Sequence, residues 1–79
     1  MSTLVDTAIK AVYKKGNIII LMESGLEIRF PIKNNKRLAQ GTPKQLNHIK
    51  ISPYGLHWPD LDEDLSFKGL LKGDYGQYI

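Results

Sequence analysis

The sequence predicts an α+β domain: an antiparallel sheet of about five strands in the order β-β-β-α-β-β-α, with a short middle helix and a C-terminal helix. Three observations carry this reading. Residues 7–32 hold three β-branched or alternating runs separated by the turn signals Lys15-Gly16-Asn17 and Glu23-Ser24-Gly25. A helix-start signature, Thr42-Pro43-Lys44-Gln45, follows them. Near the end, Phe67, Leu70 and Leu71 fall at i, i+3 and i+4, the apolar stripe of a small helix. Runs of strands with segregated helices belong to α+β domains with antiparallel sheets.

In chain order, residues 7–14 mix Ile9, Val12 and Tyr13 with Lys10 and Lys14, which suits a half-exposed strand. Residues 17–22, Asn-Ile-Ile-Ile-Leu-Met, are nearly all apolar and read as a central strand covered on both faces. Leu26, Ile28, Phe30 and Ile32 alternate with Glu27, Arg29 and Pro31, so one face of this third strand points inward. Pro31 has no N–H to donate and places the strand at its end or at an edge. A basic connection from Lys33 to Arg37 leads to one helical turn at Leu38-Ala39. Thr42 then caps a helix of about two turns, with Pro43 at its first position and Gln45 completing a capping box. Residues 48–51 and 56–58 are two further strands about the turn Ser52-Pro53-Tyr54-Gly55, with Leu56 and Trp58 on one face. Ser66 caps the last helix, Lys72 and Gly73 end it, and residues 74–79 are expected to be a loosely held tail.

At 79 residues the chain is one domain, 1–79, with its core at about 5–73. A chain this short buries only about 60–65% of its unfolded surface and has little room for a deep substrate cavity. Cysteine is absent, which excludes a disulfide framework and thiolate zinc. The start is too short in apolar residues for a signal peptide, and no run approaches the length of a membrane span; a cytoplasmic protein is expected. Residues 1–50 carry nine Lys or Arg against three acids, and residues 51–79 two Lys against five acids. The halves are thus +6 and −3, and make up the chain's +3.

The order and spacing of five segments resemble a known family. These are residues 25–31 (GLEIRFP), 37–39 (RLA), 42–45 (TPKQ), 54–66 (YGLHWPDLDEDLS) and 69–73 (GLLKG). They are similar to the small bacterial domain-of-unknown-function family 2442, and the box from Trp58 to Ser66 is the most specific part. The resemblance implies the fold given above and an intracellular bacterial or phage-borne protein. It also implies a small protein partner encoded nearby, since members often sit beside another short protein in an arrangement like a toxin–antitoxin pair. It supplies no catalytic residues. Lys33-Asn34-Asn35, where relatives tend to be aromatic, and Lys68, where an acid is common, make this chain more basic than its relatives.

Candidate chemistry is sparse. Ser66, His57 and Asp62 have the residue types of a hydrolase triad but lack a glycine-flanked nucleophile elbow, and Ser66 reads as a helix cap. Asp60, Asp62 and Asp64 alternate as in a calcium loop, but Leu65 and Leu71 stand where such a loop needs Gly and Glu. His48 and His57 have no metal-ligand spacing. No catalytic, cofactor or metal site is assigned, and no enzyme activity is expected. The function read from these features is a non-enzymatic protein-interaction module, the antitoxin-like member of a two-protein system. Its partner would meet Tyr54, His57, Asp60, Asp62, Glu63 and Asp64. The acids read either as a structural cap on the last helix or as an outward anionic edge; as an edge, neutralising Asp60 and Glu63 is expected to spare stability. The alternative is a nucleic-acid-binding or regulatory protein that meets phosphate through Lys33, Lys36, Arg37 and Lys44.

Overall fold

A computed structural model describes residues 7–75. Two antiparallel sheets of three strands each take the place of the one sheet expected. β1 (Ala8–Lys14), β2 (Asn17–Met22) and β3 (Glu27–Pro31) form the first, in the order β1-β2-β3. β4 (Lys50–Ile51), β5 (Gly55–Trp58) and β6 (Glu63–Ser66) form the second, in the order β4-β5-β6. Between them run 3-10 turns at Ile32–Asn34 and Leu38–Gln40 and helix α1 (Pro43–Asn47); α2 (Phe67–Leu71) follows β6. β6 is the strand that the sequence reading lacked. Its acidic residues hide a period of two, with Glu63 and Leu65 buried and Asp64 and Ser66 exposed.

The first sheet is a meander closed by tight turns. Lys15 and Gly16 both take positive φ, 48° and 85°, the requirement of the two-residue hairpin turn that matches strand twist. Registers Tyr13↔Ile18, Ala11↔Ile20, Ile18↔Phe30 and Ile20↔Ile28 set one row of side chains toward the core. A β-bulge between Ala8 and Lys10 adds a residue, which turns Ala8 inward and leaves Ile9 exposed. β2 is central but not covered on both faces: Ile18, Ile20 and Met22 are buried, whereas Leu21 is exposed on the outer side. The expected inward set also loses its ends. Leu26 (48% exposed) lies in the turn before β3, and Leu71 (44%) is the last residue of α2. Among the described residues neither is covered by a neighbouring element, although both are in phase with buried residues.

One buried cluster draws on both sheets and both helices. It includes Ile18, Ile20, Phe30, Leu46, Leu56, Trp58, Leu65, Phe67 and Leu70. Trp58 is fully buried on β5, and its indole N–H donates to the Leu46 carbonyl at 3.0 Å, which ties the second sheet to α1. α1 starts with the expected capping box: Gln45 N–H donates to Thr42 Oγ1 and Thr42 N–H to Gln45 Oε1. It spans five residues, after which His48 caps it, so β4 begins only at Lys50. α2 is capped by Ser66, whose Oγ accepts from the Gly69 amide at 2.9 Å. It ends in a Schellman arrangement, Asp74 N–H to Gly69 O and Gly73 N–H to Leu70 O.

The expected loose tail begins too early. Tyr75 stacks on Phe30 with ring centroids 4.7 Å apart and planes within 6°, and it packs against the core. Aromatic burial therefore holds the chain two residues past the predicted end of the core. Residues 1–6 and 76–79, where the apolar start and the rest of the tail fall, lie outside the described residues. Among the described residues no helix is long and apolar enough to cross a membrane.

Candidate functional site

The β4–β5 turn is held by its own serine. Ser52 N–H donates to Gly55 O at 2.9 Å, and Ser52 Oγ accepts from the amides of Tyr54 and Gly55, each at 3.2 Å. A Cβ on Gly55 would stand 2.1 Å from the Leu65 carbonyl oxygen on β6, so only glycine lets the two strands approach this closely. Tyr54 O accepts from Phe67 N–H, which fastens the tip to the start of α2. The result is a fixed backbone that presents Tyr54 with 83% of its surface exposed.

Beside Tyr54 the register pairs His57 with Asp64 across β5 and β6. Their Nδ1 and Oδ1 atoms are 2.5 Å apart. A carboxylate only accepts, so Nδ1 carries the proton and Nε2 is left facing away from the pair. Ser52, Tyr54, His57, Asp64 and Ser66 border a shallow depression of about 190 Å³.

The acidic box does not form one edge. Asp60 meets His48 Nδ1 at 2.8 Å. Asp62, with φ 52° at the turn between β5 and β6, meets Arg37 at 3.7 Å, and the Arg37 guanidinium also donates to the Asp62 carbonyl. Asp64 belongs to His57. Glu63 points the other way: it is 7% exposed, and both its carboxylate oxygens accept, Oε2 from Asn35 Nδ2 at 2.7 Å and Oε1 from the Asp64 amide at 3.0 Å. The expected outward edge is thus corrected at Glu63, because β6 is a strand and its alternation carries that residue inward. Stability should depend on this carboxylate, contrary to the sequence reading. Of the three candidate triad residues, Ser66 and His57 border one depression but are engaged by the α2 cap and by Asp64, and Asp62 lies apart on Arg37.

The basic candidates divide in the same way. Lys33, Lys36 and Lys44 are exposed, on the first 3-10 turn, after it, and on α1. Arg37 instead shares a shallow depression with Asp60 and Asp62. Arg37 thus sets a cation of the basic first half on an acid of the second.

Asn35 was overlooked by the sequence reading, which placed it in a basic loop. It is fully buried and makes four hydrogen bonds: Nδ2 donates to Glu63 Oε2 and to Tyr75 O (2.8 Å), and Oδ1 accepts from the amides of Arg37 and Leu38, both at 3.0 Å. The signal was an asparagine just ahead of the helical turn expected at Leu38-Ala39. Its Oδ1 bonds the amides two and three residues on, as a capping asparagine does, at the start of the turn that Ala39 N–H closes on Asn35 O.

Comparison with known proteins agrees with this picture. Residues 8–76 match the family described as protein of unknown function (DUF2442). A crystal structure of a protein of unknown function from Rhodospirillum rubrum ATCC 11170 superposes with a TM-score of 0.79 at 36% identity, covering 91% of this chain and 92% of that one. The solution structure of an uncharacterised protein from Chromobacterium violaceum gives 0.77 at 32% identity, covering 90% and 69%. No curated protein matches. The chain belongs to the DUF2442 family.

Proposed function

We propose that this family member is a small, non-enzymatic protein-interaction module whose β4–β5 tip docks a partner protein. The observation that carries the reading is Tyr54, a large aromatic side chain 83% exposed on a backbone fixed at Ser52, Gly55 and Phe67. Interface hot spots are enriched in tyrosine, and an aromatic on a fixed backbone gives up little conformational entropy on binding. The adjoining depression has the buried Leu56 and Leu65 as its floor and the His57–Asp64 pair as a polar rim.

The partner proposed is a small cytoplasmic protein encoded beside this one, with this chain as the antitoxin-like member of the pair. The family resemblance supports that choice. A nucleic-acid role through Lys33, Lys36, Arg37 and Lys44 has less behind it, because Arg37 is engaged by Asp62 and Asp60 lies beside it. A hydrolytic role also has less behind it: Ser52 and Ser66, the serines that border the same depression as His57, both accept backbone amides.

The test is co-expression with the neighbouring gene product, followed by titration of the purified pair. Tyr54→Ala should weaken the complex at least about tenfold, equivalent to ~1.4 kcal/mol, and leave the melting temperature unchanged. Wild-type affinity in Tyr54→Ala would refute the assignment of the tip.

A further inference from the structure

Of the four outer strands, β4 is only two residues long, β1 and β6 are blunted by side-chain bonds to outward amides, and β3 is neither. The outward amide of Tyr13 on β1 donates to Asn47 Oδ1 at 2.9 Å. The outward amide of Asp64 on β6 donates to Glu63 Oε1. On β3 the hydrogen bonds Met22 N–H to Leu26 O and Ile32 N–H to Gly16 O bracket the strand. With the register Ile20↔Ile28 and Ile18↔Phe30, they make the even-numbered residues the ones bonded to β2. The backbone N–H and C=O groups of Glu27 and Arg29 therefore point out of the sheet, and among the described residues nothing bonds them. Such an edge is a template for another strand.

We propose that a second copy of this chain pairs antiparallel with β3 about a two-fold axis at Ile28. In that register Glu27 of each copy lies opposite Arg29 of the other. Both residues have outward backbone groups, so they form hydrogen-bonded pairs, and their opposite charges meet across the seam. The neighbouring two-fold registers set Glu27 against Glu27 or Arg29 against Arg29, so charge selects one alignment. Charged residues on an edge usually discourage pairing; here their order along the strand is self-complementary. Pro31 offers no amide and limits the seam to the centre of β3. A depression of about 450 Å³ beside this edge, bounded by Leu26 and by Leu71, Lys72 and Tyr75, leaves space for the added strand. Leu26 and Leu71, the two apolar side chains that the monomer leaves half exposed there, gain cover. The contact is isologous, so it consumes both open edges and closes at two copies.

Sedimentation of the full chain across a concentration series reads the dimer directly. Glu27→Arg and Arg29→Glu, each alone, set like charges across the seam and should raise the dissociation constant at least about tenfold. Mixing the two variants restores opposite pairs and should regenerate a dimer. Arg29→Pro removes an outward amide and the Arg29–Glu27 ion pair but no hydrogen bond to β2, so it should give a monomer whose melting shows β3 still folded. A wild-type chain that stays monomeric would overturn the proposal and leave the edge to a strand of another protein. Dimers that survive in both single charge variants, or fail to return on mixing, would overturn the register.

Discussion

Replacing Asn35 by alanine tests the buried polar junction that joins the chain's two halves. The substitution removes four hydrogen bonds at a fully buried position. Two of the partners, Glu63 Oε2 and the Leu38 amide, sit where water does not replace the lost group; the other two are only partly buried. A buried polar group left without a partner costs about 1–3 kcal/mol, and the lost cap is part of that sum. The expected destabilisation is about 3–5 kcal/mol. A chain of this length is stable by roughly 4–12 kcal/mol, so the change consumes a large share of the total. At about 4–8 °C per kcal/mol the melting temperature should fall by about 12–40 °C. Trp58, the sole tryptophan and fully buried, reports unfolding in a denaturant titration. A loss below about 1 kcal/mol would refute the reasoning, since it would mean the junction gives way to water without penalty.

Other substitutions probe neighbouring claims. Glu63→Gln keeps the size of the side chain but replaces one acceptor by a donor, facing either Asn35 Nδ2 or the Asp64 amide; a loss of about 1–3 kcal/mol is expected by denaturant titration, and an unchanged midpoint would contradict the inward placement. Phe30→Ala removes a buried ring and the stacking partner of Tyr75, and should cost about 3–5 kcal/mol; melting within a degree or two of wild type would contradict the inward face of β3. DNA or RNA should bind only weakly and without sequence preference at low salt. A sequence-specific complex that persists near physiological ionic strength in a mobility-shift assay would promote the basic residues over Tyr54.

Local signals were legible in the sequence, and long-range compensation was not. The β1–β3 meander shows in its β-branched runs and in Lys15-Gly16, because hairpin geometry depends on adjacent residues. The capping box of α1 and the Ser66 cap of α2 are local for the same reason. β6 was not legible because an acidic stretch has low strand propensity, and the partner that accounts for its inward carboxylate is distant: a buried amide 28 residues away at Asn35. Inward phase likewise predicts burial only where a neighbouring element exists, which Leu26 and Leu71 lack. Of the candidate site, Tyr54 at a turn tip could be read from Pro53 and Gly55. The partition of the acids could not: Asp60 and Asp62 meet His48 and Arg37 only through the three-dimensional approach of their turn to earlier parts of the chain, and Asp64 meets His57 through the register of a strand the sequence does not announce.

The division of the chain into two consecutive meanders bears on how it is made. Every strand partner in the first sheet lies between Ala8 and Pro31, and every one in the second between Lys50 and Ser66. Neither sheet waits for a strand from the other, so both have the short sequence separations that favour fast closure. As the polypeptide leaves the ribosome, the first meander has all its strand partners before Asn35 emerges. Asn35 then acquires Glu63 and, last, the Tyr75 carbonyl, whose ring covers Phe30. Synthesis reaches the clasp between the two halves only after both are complete.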